Sequence, residues 1–296
     1  MNCNLNKSVK CPICGSNSCI APSYPYSTKY NGIVFTYIKC ISCSSIFVNP
    51  IPDDKTLKII YARSNYHDVH YTIEDKSSYS ESAKLLSSYL PSNSLVLDYG
   101  CGMGYFLNAL LEEGLLPIGV EFDEEAAKSA SKIADCDVYP ISSFLNKQSE
   151  YIFDAIHFGD VLEHLPDVTD VLNNLLLKLK SGGILFVEGP LESNPSFVYW
   201  SSKIFGMLKK YFTNKTIYEF PPTHLYRVSA AQQLSYFKNL DCDLELLYFR
   251  IYETGWPYYA NGFLKNIIAR IAIVFGGHNL FGFTFGNRIQ CVLKKR

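Results

Sequence analysis

Between residues 94 and 190 short apolar runs alternate with segments whose apolar residues recur every three or four positions. That pattern predicts parallel strands joined by crossover helices. SLVLDYG (94–100) reads as a buried strand, because it is short, rich in Leu and Val, and closed by glycine. GYFLNALLEEG (104–114) follows as a helix with Gly114 as its C-terminal cap. LLPIGVEF (115–122) is the second strand, and DEEAAKSASKIA (123–134), acidic in its first turn, is the second helix. CDVYP (136–140), YIFDAIHFGD (151–160) and GILFVEGP (183–190) continue the strands. A further helix places Val168, Val171, Leu172, Leu175, Leu176 and Leu179 on one face and is expected to run to Ser181-Gly182-Gly183. DLELLYFRIY (243–252) and NRIQCVLKK (287–295) predict the last two of seven strands, after insertions at about 191–240 and 253–286.

Upstream of Ser94 the pattern differs. Residues 1–50 are rich in Cys, Ser and Pro with short β-type runs such as IVFTYIKC. The breaker NPIPDD then leads into helical stretches, TLKIIYA and SESAKLLSSYL. The expected division is a small unit at 1–50, a helical linker and lid at 51–93, and an α/β domain at 94–296.

Composition changes this picture only in detail. With 48% hydrophobic and 19% charged residues the chain is expected to pack as a globular protein. The net charge of −1 exerts no global pull on nucleic acid. Residues 1–50 hold Lys7, Lys10, Lys29 and Lys39 and no acid, so the remainder carries −5. MNCNLNKSVK lacks the apolar core of a secretory signal, and the apolar stretch 267–286 is broken by Arg270, His278 and paired glycines. The expectation is a cytoplasmic protein without a transmembrane segment. Ten cysteines in that setting suggest thiols or metal ligands more than disulfides.

Four of those cysteines have metal-ligand spacing. Cys11-Pro-Ile-Cys14 and Cys40-Ile-Ser-Cys43 are two C-x-x-C knuckles 25 residues apart, somewhat more than the usual zinc-ribbon gap. Gly15 lets the first knuckle close. Four thiolates suit tetrahedral Zn²⁺ and leave no open position, so the expected zinc is structural. A redox pair or unliganded core thiols are the alternatives. Cys3 and Cys19 have no partner spacing.

The second chemical signal is Asp98-x-Gly100-x-Gly102-x-Gly104, placed directly after a strand and before a helix. Glycines permit a sharp turn and close ligand approach, and the helix start adds free N–H groups. A dinucleotide fingerprint would need its last glycine where Tyr105 stands. Glu121, at the end of the second strand, can accept the ribose hydroxyls of an adenosyl group.

LVLDYGCGMGYFL, GVEFDEEA and FDAIHFGDVLEHLPD together resemble the class I S-adenosylmethionine-dependent methyltransferase superfamily. The likeness is closest to the group that includes ubiquinone-pathway O-methyltransferases and sugar C-methyltransferases. It implies a Rossmann-like seven-stranded sheet and S-adenosylmethionine as cofactor. In that reading Gly100, Gly102 and Gly104 frame the methionine and ribose, Glu121 holds the ribose hydroxyls, and Asp98 sits behind the loop. Cys101 and Phe122 complete the expected cofactor set, and Asp160 either touches cofactor or caps the helix after it. A Rossmann-like domain for another nucleotide is the alternative. The run CxxC-SSIFVNPIPDDKTLKIIYARSNY resembles the junction in methyltransferases with an N-terminal zinc ribbon, among them enzymes encoded with cell-surface polysaccharide genes. The chain is shorter than the sugar C-methyltransferases, which weighs against a sugar-carbon acceptor.

Methyl transfer from a sulfonium needs a base only where the acceptor loses a proton. His164 in DVLEHLPD and His224 in EFPPTHLYRVS are the candidates, with local packing as the competing role for each. Glu163 and His164 could instead hold a divalent cation, Mg²⁺ by the ubiquinone O-methyltransferase resemblance. FVYWSSKIFGMLKKYFTNK (197–215), with six aromatics, four lysines and no acid, predicts a helix. Its stripe Phe197, Trp200, Ile204, Leu208 and Tyr211 either faces the core or forms a lid or membrane-surface helix, at the inner membrane face, that meets an anionic lipid or phosphorylated sugar. FLKNIIARIAIVF (263–275) invites the same two readings. The expected function is methylation of a small molecule or a cell-surface polysaccharide intermediate. A zinc-ribbon rRNA methyltransferase and a non-catalytic cofactor-binding subunit are the alternatives. An acidic catalytic domain without Asn/Asp-Pro-Pro-Tyr/Phe after the fourth strand speaks against nucleic acid.

Overall fold

The computed structural model describes residues 9–20, 27–62, 76–147, 151–213, 217–259 and 262–296. Cys3 and the 63–75 part of the linker lie outside the described residues. The first strands are β1 (Cys19–Ile20), β2 (Ser27–Tyr30), β3 (Ile33–Cys40) and β4 (Ile46–Asn49). Phe35, Tyr37, Ile38 and Cys40 of β3 are buried, as are Ile46, Phe47 and Val48 of β4. Helix α1 (Asp54–Ile60) begins where Asp53 accepts the N–H of Thr56 at 2.8 Å, and it buries Leu57 and Ile60. Helix α2 (Lys76–Ser87) buries Ala83 and Leu86.

The α/β alternation then runs β5 (Leu95–Tyr99), α3 (Tyr105–Glu112), β6 (Leu116–Glu121), α4 (Glu124–Ala134), β7 (Val138–Pro140), α5 (Ile141–Lys147) and β8 (Phe153–Gly159). A 3₁₀ turn at Leu162–His164 leads to α6 (Val168–Leu176) and β9 (Leu179–Pro190). The remainder is α7 (Phe197–Thr213), β10 (Ile217–Tyr218), β11 (Tyr226–Arg227), α8 (Ala230–Lys238), β12 (Leu244–Tyr252), α9 (Phe263–Phe275), β13 (Asn279–Leu280), β14 (Phe283–Thr284) and β15 (Arg288–Lys295).

The main sheet has the seven strands in the order β12-β15-β9-β8-β5-β6-β7. Pairing is parallel from β9 to β7, and β15 runs antiparallel between β9 and β12. This is the Rossmann-like sheet that the motifs imply. Val96, Leu97, Ala155, Ile156, Phe158, Leu185, Phe186 and Val187 are all buried, because helices cover both faces of the central strands. Strand order reverses between β5 and β8, so the crevice for a ligand opens at the C-terminal ends of those two strands.

Three features depart from expectation or go beyond it. Helix α6 ends at Leu176, and Leu179 opens β9 by pairing with Phe153. Leu179 satisfies the helical period, yet burial on the sheet claims it, and Gly182 (φ +77°) lets the strand turn rather than stopping a helix. The strands of the cysteine-bearing region do not stand alone: β10 adds in parallel to β2 and β11 antiparallel to β4, so the 191–240 insertion supplies two strands to a six-stranded sheet. Helix α7 turns only the start of its aromatic stripe inward, Phe197 and Trp200 meeting the buried Phe285. Val198 is its buried residue, packed with Tyr258, Ala269 and Ala272, while Ile204, Leu208 and Tyr211 face out. Among the described residues no helix is long and apolar enough to cross a membrane.

Candidate active site

The three glycines after β5 all have positive φ: Gly100 +85°, Gly102 +54° and Gly104 +84°. A Cβ on Gly100 would lie 2.4 Å from Val161, and one on Gly104 would lie 2.9 Å from the Ala130 carbonyl. Both positions therefore require glycine on two grounds, conformation and space. The loop is held by Glu121, whose carboxylate accepts the N–H groups of Gly102 (2.9 Å), Phe122 (2.7 Å) and Asp123 (3.2 Å). Glu121 is buried at the end of β6, on the sheet edge where its ribose role was expected. Phe122 is at the surface, edge-on to Tyr61 with ring centroids 6.2 Å apart. Cys101 is buried inside the turn, where burial drives its thiol well up.

Asp98 lies behind the loop. Its Oδ1 is 2.7 Å from His157 Nδ1, and His157 Nε2 is 3.3 Å from Glu188 Oε2. Ser82 Oγ–H and the Gln290 side-chain amide each donate to Glu188 Oε1 at 2.7 Å. The result is a buried polar row across β5, β8, β9 and β15, with α2 fastened to it through Ser82. Burial alone would lower the His157 pKa, but Asp98 and Glu188 together outweigh it and hold the imidazole up at about 9. The signal for this row was present as polar positions inside otherwise apolar strands.

The two candidate histidines converge, with ring centroids 4.9 Å apart. His164 Nδ1 is 2.7 Å from the Thr223 carbonyl, which can only accept, so Nδ1 carries the hydrogen. Tyr61 O–H donates to the same carbonyl at 2.6 Å. Burial, aided by His224, pushes His164 down to about 3, so its imidazole stays neutral, with Nε2 3.8 Å from Glu163 Oε1. His224 differs: its Nδ1 lies 2.9 Å from Glu192 Oε2, and Arg227 holds the other Glu192 oxygen at 3.2 Å. Burial opposes protonation of His224, yet Glu192 outweighs it and raises the pKa. Glu163, buried beside Asp160, is pushed up to about 8, burial being the larger cause. Glu192 and Arg227 were not singled out in the sequence, because neither stands in a motif.

Glu163, His164 and His224 can each bring a ligand atom within 4.8 Å of the others. Two imidazoles and a carboxylate make a nitrogen-rich set that suits zinc or another transition metal. Mg²⁺ takes oxygen ligands in an octahedron, so this donor set does not fit it. Asp160 neither caps the 3₁₀ turn nor points free. Arg288 on β15 holds its two oxygens at 2.8 and 2.7 Å. The Gly100–Val161 contact and the path Phe122–Tyr61–His164 place the histidine pair beside the glycine loop.

The methyltransferase domain family matches residues 71–247, more than half of the chain. The chain belongs to this methyltransferase family. The ubiquinone biosynthesis O-methyltransferase of Histophilus somni is 30% identical over 121 residues, 38% of this chain and 50% of that protein. Its counterpart in Coxiella burnetii is 29% identical over 124 residues, 39% of this chain and 53% of that protein. This member of the family thus spans about half the length of the curated relatives it matches. The magnesium protoporphyrin IX methyltransferase of Synechocystis PCC 6803, solved with bound SAH, is 13% identical with a TM-score of 0.52, covering 82% of this chain and all of that one. That likeness is one of fold.

Away from the crevice, this methyltransferase-family chain brings its four expected cysteines together. Cys11 and Cys43 Sγ are 3.7 Å apart, Cys14 and Cys40 Sγ 3.5 Å, and all four lie within 4.8 Å of one another. A tetrahedron with Zn–S of about 2.3 Å has edges of roughly 3.8 Å, so the quartet fits. The knuckles are built alike: the Gly15 N–H returns to the Cys11 carbonyl at 2.8 Å and the Ser44 N–H to the Cys40 carbonyl at 3.0 Å. Burial pushes the Cys11 and Cys14 thiols up, an arrangement that a dication would stabilise as thiolates. Cys19 is paired with Cys40 across β1 and β3 but is not one of the quartet, and its thiol donates to the Val9 carbonyl.

Proposed function

We propose that the chain is an S-adenosylmethionine-dependent methyltransferase acting on a small-molecule acceptor that must lose a proton as it is methylated. The observation that carries the reading is the pairing of two features at one sheet edge: a glycine cradle that a Cβ would fill, and an imidazole backed by a carboxylate. Gly100, Gly102 and Gly104 would border the methionine and ribose, and Glu121, already aligned by the loop, would meet the ribose hydroxyls. When bound, the cofactor supplies an electrophilic methyl group on a sulfonium.

The residues of this chain do the rest. Glu192 stands 2.9 Å from Nδ1 of His224, so Nε2 would be the proton acceptor for the attacking hydroxyl. The raised His224 pKa improves its strength as a base while the carboxylate stabilises the imidazolium that forms. His164 stays neutral, which suits it to position an acceptor rather than to take its proton. The two prolines of FPPTH limit the freedom of the loop that carries His224.

A cell-surface polysaccharide intermediate is the acceptor class that the cysteine-to-helix junction favours. The similarity to ubiquinone biosynthesis O-methyltransferases supports transfer to oxygen. We assign Cys11, Cys14, Cys40 and Cys43 to one structural zinc. The test is transfer of label from radioactive S-adenosylmethionine to candidate hydroxyl acceptors, alongside calorimetric binding of S-adenosylhomocysteine. Absence of S-adenosylhomocysteine binding would overturn the reading.

A further inference from the structure

Helices α7 and α9 and the β13–β14 hairpin form a surface that the catalytic reading leaves unused. The two helices pack on each other through Val198, Ala269 and Ala272, with Tyr258 between them. Their outer sides carry large apolar residues in the open: Tyr211 is 81% exposed, Phe212 78%, Phe263 85% and Val274 68%, and Phe281 in the hairpin turn reaches 87%. Aromatic contacts join the two helices. Phe197 of α7 touches Phe275 of α9 with ring centroids 5.3 Å apart, and Phe205 meets Tyr258 at 6.5 Å. Contiguous apolar patches of this kind mark a binding surface.

Charge says what covers it. Segments 197–215 and 262–286 contain Lys203, Lys209, Lys210, Lys215, Lys265 and Arg270 and no Asp or Glu. The rest of the chain is left with 21 cationic against 28 acidic side chains. Cations therefore gather where the apolar side chains are exposed, although the molecule as a whole is slightly acidic. A second copy of the chain would set these cations against their own images, which disfavours a dimer through this face. An anionic bilayer satisfies both properties at once: aromatic and aliphatic side chains enter the headgroup boundary, and lysines extend along it to the phosphates. Neither helix is long and apolar enough to span, so the contact lies along the interface.

We propose that α7, α9 and the β13–β14 hairpin dock the protein on an anionic lipid surface. The inference does not depend on the methyltransferase chemistry. Both tryptophans of the chain, Trp200 and Trp256, lie at this surface, 37% and 58% exposed. Their emission is therefore sensitive to contact there.

The experiment uses the full chain with phosphatidylcholine vesicles, with and without about 30 mol% phosphatidylglycerol. Co-sedimentation and a blue shift of tryptophan emission are expected with the anionic vesicles, and both should fade in high salt. The variants Lys209→Glu/Lys210→Glu and Tyr211→Ser/Phe212→Ser/Phe281→Ser should each reduce partitioning at least about tenfold. Their thermal unfolding midpoints should match the parent, since every substituted side chain is exposed. Three results would overturn the proposal: no binding to the anionic vesicles, equal binding by the variants, or a concentration-dependent oligomer that the serine variant abolishes while vesicles fail to bind.

Discussion

His157 Nδ1 lies 2.7 Å from the Asp98 carboxylate, across directly paired positions of β8 and β5 beneath the glycine loop. Neither group reaches water, so each requires the other: an isolated buried carboxylate is costly, and an isolated imidazolium equally so. The first prediction concerns pH. The folded pKa of His157, about 9, stands above its unfolded value. Its contribution is therefore fully present below the unfolded pKa near 6.5 and is lost as pH rises through about 9. Urea unfolding should show the parent losing up to roughly 3 kcal/mol between pH 6 and pH 10, relative to His157→Gln. Parallel pH profiles in the two proteins would mean that the imidazole is neutral when folded.

Removing Glu121 should weaken the site in two ways. Glu121→Ala takes away the proposed acceptor for ribose hydroxyls and also frees the N–H of Gly102 that it holds at 2.9 Å. Calorimetry with S-adenosylhomocysteine should show a loss of about 1–3 kcal/mol. Unchanged affinity would remove Glu121 from the cofactor site.

The Glu192–His224 pair predicts a shift in the pH–rate profile. His224→Ala should leave S-adenosylhomocysteine binding intact while lowering turnover on the acceptor by on the order of a hundredfold or more. Glu192 is what raises the His224 pKa, and the base works in its neutral form. Glu192→Gln should therefore move the acidic limb of the profile to lower pH. His164→Ala should be milder. Because the Glu163–His164–His224 set does not suit Mg²⁺, adding Mg²⁺ to chelator-treated protein should leave turnover unchanged.

Zinc loss should be felt at the histidines. Purified protein is expected to hold one zinc per chain, lost in Cys14→Ser and Cys40→Ser. The cysteine-bearing sheet reaches the crevice: Val48 N–H donates to the Leu225 carbonyl at 2.9 Å, and Leu225 N–H to the Glu163 carbonyl at 2.7 Å. Demetallated protein should therefore keep S-adenosylhomocysteine affinity but lose turnover, measured as a fall in kcat with little change in cofactor KM. Full metal content in both variants would sink the zinc assignment.

The sequence by itself determined what local physics controls. Strand and helix periods, the Asp123 start of α4, the glycines that a sharp turn favours, and two C-x-x-C turns are each written within a few residues. Their number and order carried the fold class and placed Asp98, the glycines and Glu121 at one sheet edge. Tertiary structure decided the partners, because those bonds join residues far apart in the chain. Arg288 reaches Asp160 from 128 positions away, Glu188 reaches His157 from 31, and His224 meets His164 only because the insertion adds β11 to β4. Helix α7 shows the same limit from the other side. An apolar stripe at helical spacing states that a face needs cover, but whether core, partner or lipid provides it depends on what stands opposite. Here α9 covers Val198 and leaves Tyr211 and Phe212 in the open.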